Sequence, residues 1–202
     1  VDIITFEFEN IPFKVLDYIL KLKPVFPKPS INQIIQNRFT EKKFINNIGI
    51  RTTNYALINN KSDIFNNENL LPGFLKKNTL GYDGKGQFVL NNKEVASELE
   101  VKFDKEYILE KKVDLKKEIS IVITRFSNND FIIYEPIENL HVNQMLSKST
   151  IPADIDRAIS EKAQQQARQI AEKLDYIGTM CVEYFIDKKN NLFVNEIAPR
   201  VH

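Results

Sequence analysis

Glu183 and Glu196 are the first residues whose types and spacing point to chemistry. Lys188-Lys189-Asn190-Asn191 reads as the turn of a hairpin between Thr179–Asp187 and Leu192–Ile197. If Asp187 pairs with Leu192, Glu183 falls opposite Glu196, with Cβ atoms about 4.5–5.5 Å apart. Like charges directly opposite repel, so the pair needs a reason. Paired carboxylates suit Mg2+, above all where phosphate oxygens complete the octahedron. Asn195 is placed to add a polar contact. The alternative is two solvated glutamates, but Phe185 and Val194 are expected on the same face, which would half-bury it. Without a metal such a pair is expected to share a proton or to splay apart.

Gly81-Tyr82-Asp83-Gly84-Lys85-Gly86-Gln87 is the second feature. Three closely spaced glycines let backbone N–H groups approach one anion, and Lys85 adds charge. Lys76, on the preceding strand, adds more. No Gly-Lys-Ser/Thr opens a helix here, which excludes a P-loop, and a strand follows where a dinucleotide fingerprint needs a helix. The pattern fits a lid over phosphate and equally a hairpin turn that tolerates Gly. The third feature is Ile108-Leu109-Glu110-Lys111-Lys112-Val113, an apolar strand running into a charged connector. Such an edge offers backbone groups to a purine base in an interlobe cleft, and Glu118 is placed to accept from ribose hydroxyls. The same run also fits a plain linker. Arg200, just past the carboxylate strand, can clamp a carboxylate or phosphate. His141 and His202 are the only histidines, and His141 is expected in a loop.

The elements that must position these residues fall into three blocks. Residues 1–51 begin with a strand over residues 1–9, expected to be buried. A helix follows Pro12, then a proline-rich connector over 23–29, a short helix capped by Ser30, and a helix from Arg38 to Asn47 stopped at Gly49. Residues 52–112 hold short strands at Asn54–Ile58, Gly73–Lys77, Gln87–Leu90 and Tyr107–Lys111, with a helix near Lys93–Leu99. Residues 113–202 hold a hairpin (Glu118–Phe126 with Phe131–Glu135), a long helix over Asp154–Leu174 and the carboxylate hairpin.

Composition closes off other classes. With 28 basic and 27 acidic residues in 202, the net charge of +1 gives no general pull toward nucleic acid or membrane. No run approaches the roughly 20 apolar residues that span a bilayer. Cys181 is the single cysteine, expected as a buried thiol, and a cytoplasmic location fits it. Both ends read as cut.

Lys76, the 81–87 loop, Glu110 and the Glu183…Asn195-Glu196 pair occur in the order of the ATP-grasp superfamily, which the chain resembles. Within it, Ile4-Thr5-Phe6-Glu7-Phe8-Glu9-Asn10, the 81–87 loop, Glu135-Pro136 through Asn139-Leu140-His141, and Asn195 through His202 are similar to the 5-(carboxyamino)imidazole ribonucleotide synthases. The resemblance implies an α+β ATP-grasp fold, two lobes clasping ATP, with the tail of an N-terminal nucleotide-fold domain. The blocks then become the end of that domain and connecting helices (1–51), the small lobe with its glycine lid (52–112) and an incomplete large lobe (113–202). It implies ATP-dependent carboxylation of aminoimidazole ribonucleotide by bicarbonate, with ATP and Mg2+ as cofactors and a homodimeric full-length protein; another carboxylate–amine ligase of the superfamily, or a non-catalytic nucleotide-binding module, is the alternative. Arg38, Lys76, the 81–87 loop, Glu110, Lys111, Lys112, Val113, Glu118, His141, Asn195 and Glu196 would then contact ATP. Glu183 and Glu196 would hold Mg2+. Tyr82, Asp83, Lys85, Arg200 and His202 would face the ribonucleotide or bicarbonate, with Asp83, Arg200 and His202 catalytic. Lys85 stands where this family often carries Arg, and Leu80 where it often carries a smaller residue.

Overall fold

The computed structural model describes residues 1–79, 86–142 and 145–201. Leu80, Gly81, Tyr82, Asp83, Gly84, Lys85 and His202 therefore lie outside the described residues.

The first segment pairs β1 (Ile4–Thr5) with β2 (Val25–Phe26) in a two-stranded parallel sheet, joined through α1 (Phe13–Leu20). The expected buried strand over 1–9 shrinks to these two residues. Only one short partner covers it, and Ile3 and Phe8 remain 62% and 65% exposed. Pro29 opens α2 (Pro29–Ile35), with Lys28 at the cap. Ser30 is thus inside the helix rather than capping it, because proline's fixed φ and missing N–H suit the first helical position. In α3 (Arg38–Asn47), the Asn37 side chain accepts from the Thr40 N–H. The chain leaves α3 through Gly49, whose φ of +80° side chains rarely tolerate.

The small lobe is a four-stranded antiparallel sheet in the order β3 (Tyr55–Ile58), β6 (Tyr107–Lys111), β4 (Gly73–Lys77), β5 (Gln87–Leu90). One face buries Leu75, Leu90, Tyr107 and Leu109 against Ile64 of α4 (Lys61–Asn66) and Ala96 of α5 (Lys93–Ser97). α4 is absent from the sequence reading, although its Asn60–Asp63 capping box was a visible start signal. Alternation leaves Phe74, Lys76, Ile108 and Glu110 on the other face.

The large lobe is a six-stranded antiparallel sheet, β10 (Met145–Thr150), β9 (Ile137–Val142), β7 (Leu115–Arg125), β11 (Gly178–Asp187) and β12 (Leu192–Ala198), with β8 (Phe131–Ile133) also on β7. α6 (Arg157–Lys173) lays Ala163, Ala167, Ile170 and Ala171 on the face carrying Ile119, Ile121, Ile123, Val182 and Tyr184. The Tyr184 hydroxyl donates to the Ala163 carbonyl at 3.0 Å. Ile31 of α2 and Ile45 of α3 join this core, so both helices belong to its packing. His141 sits on β9, not in a loop. Polar residues at 138, 139 and 141 hid that strand, whose polar side chains meet partners on neighbouring strands.

The β11–β12 hairpin refines the expected register. Ile186, not Asp187, pairs with Leu192, one residue off the expectation, because Asp187 closes the turn by donating its N–H to the Asn191 carbonyl at 3.0 Å. A bulge between Val182 and Tyr184 then restores the expected frame, with Val182 opposite Ile197. Glu183 thus opposes both Asn195 and Glu196, and the extra residue lets both line the cleft. Val194 instead points into the core, opposite Tyr184. Cys181 is fully buried, and burial with the nearby Glu183 charge pushes its thiol up to about 12.

Candidate functional site

A cleft of about 870 Å³ lies between the inner faces of the two sheets. Every candidate binding residue among the described residues lines it.

From the small lobe, β4 and β6 place Lys76 diagonally across from Glu110, since Glu110 stands opposite Phe74. Lys76 Nζ donates to Glu110 Oε2 at 3.0 Å, and Lys42 Nζ lies 3.6 Å from Glu110 Oε1. Glu110 is 2% exposed. Burial alone would raise its pKa, but Lys42, Lys76 and Arg38 outweigh that and hold it down at about 2. The Glu110 side chain is therefore ionised near neutral pH and organises two lysines. Gln87 stands opposite Lys76, and Gly86, at φ +77°, packs where a Cβ would meet the Lys77 side chain at 2.9 Å. Beyond β6, Lys111 donates its backbone N–H to the Asn54 carbonyl and Lys112 to that of Pro72, which fixes the edge leading to Val113. Lys111 Nζ is spent on the Asn69 carbonyl at 3.1 Å.

From the large lobe, Glu118, Ser120 and Glu183 share a face through the β7–β11 pairing, Ser120 lying opposite Glu183. His141 reaches Glu118 diagonally from β9, its Nδ1 2.6 Å from Oε2. Burial and then the Glu183 charge raise the Glu118 pKa, and His141 opposes them. Asn195 Nδ2 donates to Glu183 Oε2 at 3.4 Å. Arg38 Nη1 donates to Glu196 Oε2 at 2.7 Å.

This last contact gives Glu196 a counter-charge in place of the expected shared proton. Burial would raise the Glu196 pKa, but Arg38, Lys76 and Lys42 reverse it and keep Glu196 ionised. Arg38 itself is held more firmly protonated, the Glu196 and Glu110 charges overcoming its burial. At the far end, Arg200 Nε lies 3.3 Å from Glu9 Oε2, tying the first segment to the strand end.

Two charged residues on α3 escaped the sequence reading. Glu41 and Lys42 are 2% and 0% exposed. Glu41 Oε1 accepts the Ile197 N–H at 2.7 Å, and Lys42 Nζ donates to the Asn195 carbonyl at 3.0 Å. Their signal was the helical spacing of Arg38, Glu41 and Lys42, which shares one face. Burial, then Glu196, raises Glu41 to about 8 against an ordinary 4.5. The folded state therefore holds a proton that the unfolded chain releases near 4.5. That contribution is complete below about 4.5 and is lost as pH rises through about 8. Glu41→Gln keeps the acceptor and stays neutral at every pH. Urea unfolding at pH 6 and pH 9 is expected to show the variant gaining about 2 kcal/mol on the wild type; parallel pH profiles would remove the buried proton from the account.

The donor set suits a hard cation. Glu183, Glu196 and Asn195 present oxygens, and Asn195 Oδ1 is buried with no hydrogen-bond partner among the described residues. Among those residues no three His, Cys, Asp or Glu side chains converge into a ready metal cage. Mg2+ matches this arrangement, since it takes one or two carboxylates and completes its shell with water and phosphate. Lys76 and Arg38 face the same space with the charge that phosphates need.

Comparison with known proteins agrees with this geometry. Residues 43–202 match the ATP-grasp domain. The N5-carboxyaminoimidazole ribonucleotide synthase of Brucella melitensis is 35% identical over 206 residues, covering all of this chain and 57% of that protein. The Bacillus subtilis protein of the same name is 37% identical over 205 residues, with 100% and 54% covered. The Staphylococcus aureus N5-carboxyaminoimidazole synthetase complexed with ADP superposes with a TM-score of 0.92 at 36% identity, covering 100% of this chain and 54% of that one. The chain thus spans about half the length of the curated relatives it matches. Among the described residues no helix is long and apolar enough to cross a membrane. With a glutamate pair on one sheet, a cleft-lining lysine on the other and a matching domain over most of its length, the chain belongs to the ATP-grasp family.

Proposed function

We propose that this chain is the ATP-binding core of an N5-carboxyaminoimidazole ribonucleotide synthase. The carrying observation is the convergence of Lys76 from the small lobe, Arg38 from α3, and Glu183 with Asn195-Glu196 from the large-lobe sheet on one cleft. In this reading bicarbonate oxygen attacks the γ-phosphorus of ATP, the bond to the β-phosphate oxygen breaks, and ADP leaves. The resulting carboxyphosphate is attacked by the amine of aminoimidazole ribonucleotide; a C–N bond forms, phosphate departs and the amine loses a proton.

Lys76 and Arg38 bind phosphate oxygens, and Glu110 aims Lys76. The edge Glu110–Val113 receives adenine, and Glu118, oriented by His141, receives the ribose hydroxyls. Glu183, Asn195 and Glu196 would hold Mg2+, which would offset charge on the transferring phosphoryl group. Arg38 would then be placed to exchange Glu196 for phosphate. Residues 81–87 close over the nucleotide, and Tyr82, Asp83, Lys85, Arg200 and His202 serve the acceptor side, Asp83, Arg200 and His202 in the chemistry itself. Residues 1–51, 52–112 and 113–202 act as the end of an N-terminal domain with connecting helices, the small lobe and the large lobe of a cytoplasmic homodimer.

The test is product analysis in the intact protein with ATP, [13C]bicarbonate and aminoimidazole ribonucleotide. A 13C carbamate on the ribonucleotide amine, formed with one ADP per turnover, is the expected result. ATP turnover driven instead by a different carboxylate or amine would assign the cleft to another ligase of this family.

A further inference from the structure

The bulge that brings the two glutamates together is gripped by α3. Arg38, Glu41 and Lys42 project from a single face of α3 onto three consecutive residues of β12. Arg38 meets the Glu196 carboxylate at 2.7 Å. Glu41 accepts the Ile197 N–H at 2.7 Å. Lys42 donates to the Asn195 carbonyl at 3.0 Å. A bulge leaves its extra residue outside the ladder, so these backbone groups need partners from elsewhere. Lys42 also reaches the other lobe, its Nζ standing 3.6 Å from Glu110, the small-lobe carboxylate that carries Lys76. One buried ammonium therefore touches both walls of the cleft, the strand bearing the metal-binding carboxylate and the strand bearing the phosphate lysine. The Lys42 side chain is 1% exposed, so it lies behind the wall and cannot itself reach a nucleotide.

We propose that Glu41 and Lys42 are positioning residues: a backbone clamp that fixes the Asn195–Ile197 bulge, and with it the separation between the metal-binding carboxylates and Lys76. The inference rests on the reading of the cleft as an ATP·Mg2+ site. Arg38 is free to exchange Glu196 for phosphate because the other two contacts keep the bulge in place. Groups that orient metal ligands through hydrogen bonds typically govern metal affinity by about 10–100-fold without touching the metal.

The experiment is calorimetric titration of the intact protein with ADP, with Mg2+ and with chelator in its place. In Lys42→Met the Mg2+-dependent gain in ADP affinity is expected to fall by about tenfold or more, while the affinity in chelator changes far less. Glu41→Leu is the second arm, needed if Lys42→Met does not fold, and it should behave alike and also speed hydrogen exchange of the Ile197 amide. Glu41→Gln, which keeps an acceptor, should restore both. Equal loss of affinity with and without Mg2+ would make the two residues mere packing and overturn the clamp. Full Mg2+ response in the variants overturns it as well. A wild type whose ADP affinity ignores Mg2+ overturns the metal reading, and the clamp with it.

Discussion

Replacing Glu196 by Gln in the intact protein is expected to lower metal-dependent ATP turnover by about 10²–10³-fold, the scale of removing one preorganised electrostatic partner from a transition state. The amide keeps shape and hydrogen-bonding capacity but removes the charge that would hold Mg2+ against the phosphates. The stability consequence follows from Arg38. A simple repulsive pair would make loss of Glu196 neutral or favourable. Arg38 instead donates to this carboxylate at 2.7 Å, with side chains 21% and 34% exposed. The variant should therefore be less stable without nucleotide, by about 1 kcal/mol once solvent screening is allowed for. Steady-state turnover at saturating Mg2+ and urea unfolding check the two parts separately. Normal turnover would remove Glu196 from the chemistry, and a stability gain would show that Arg38 does not pair with it.

Glu110→Gln should give the largest loss of stability. The carboxylate is the buried counter-charge for Lys42 and for Lys76, whose side chains are only 1% and 14% exposed. Breaking a buried ion pair from one side typically costs about 3–5 kcal/mol, because the remaining charge is stranded. Burial already lowers the Lys42 pKa and Glu110 opposes that shift, so removing Glu110 lowers it further, which limits the loss. The sign with pH is opposite to that for Glu41. Glu110 has a folded pKa of about 2 against an ordinary 4.5, so its contribution is present above about 4.5 and is lost as pH falls toward 2. Denaturant unfolding at pH 7 and pH 3 should show the wild-type advantage shrinking at the lower pH. A constant difference would mean that Glu110 is not ionised in the fold.

Particular elements show how much was legible in the sequence. α3, β4, β5 and β6 match their expected limits because caps, glycine stops and alternation agree locally. The cleft-lining carboxylates were found because a turn of four polar residues pins a hairpin closely enough to put Glu183 near Glu196. The bulge was not visible: it depends on the Asp187 turn and on the grip of α3 on β12, contacts more than 150 residues apart in sequence. Lys42 and Glu41 were missed for the same reason. On a helix they look like solvent-facing charges, and only packing against β12 turns them inward. The strand β9 was misread because its polar residues are paired across the sheet, Asn139 donating to Ser120 Oγ at 3.0 Å. A strand that presents polar groups to a cleft loses the apolar alternation by which strands are recognised.

The measurement that meets the central claim most directly is a crystal structure of the intact protein with ADP and Mn2+ in place of Mg2+, read by its anomalous signal. An anomalous peak within coordination distance of the Glu183 and Glu196 carboxylates and of phosphate oxygens is expected, with the Arg38 guanidinium moved from Glu196 to phosphate. A nucleotide bound with its metal away from both glutamates, or Arg38 still on Glu196 beside a bound phosphate, would contradict it.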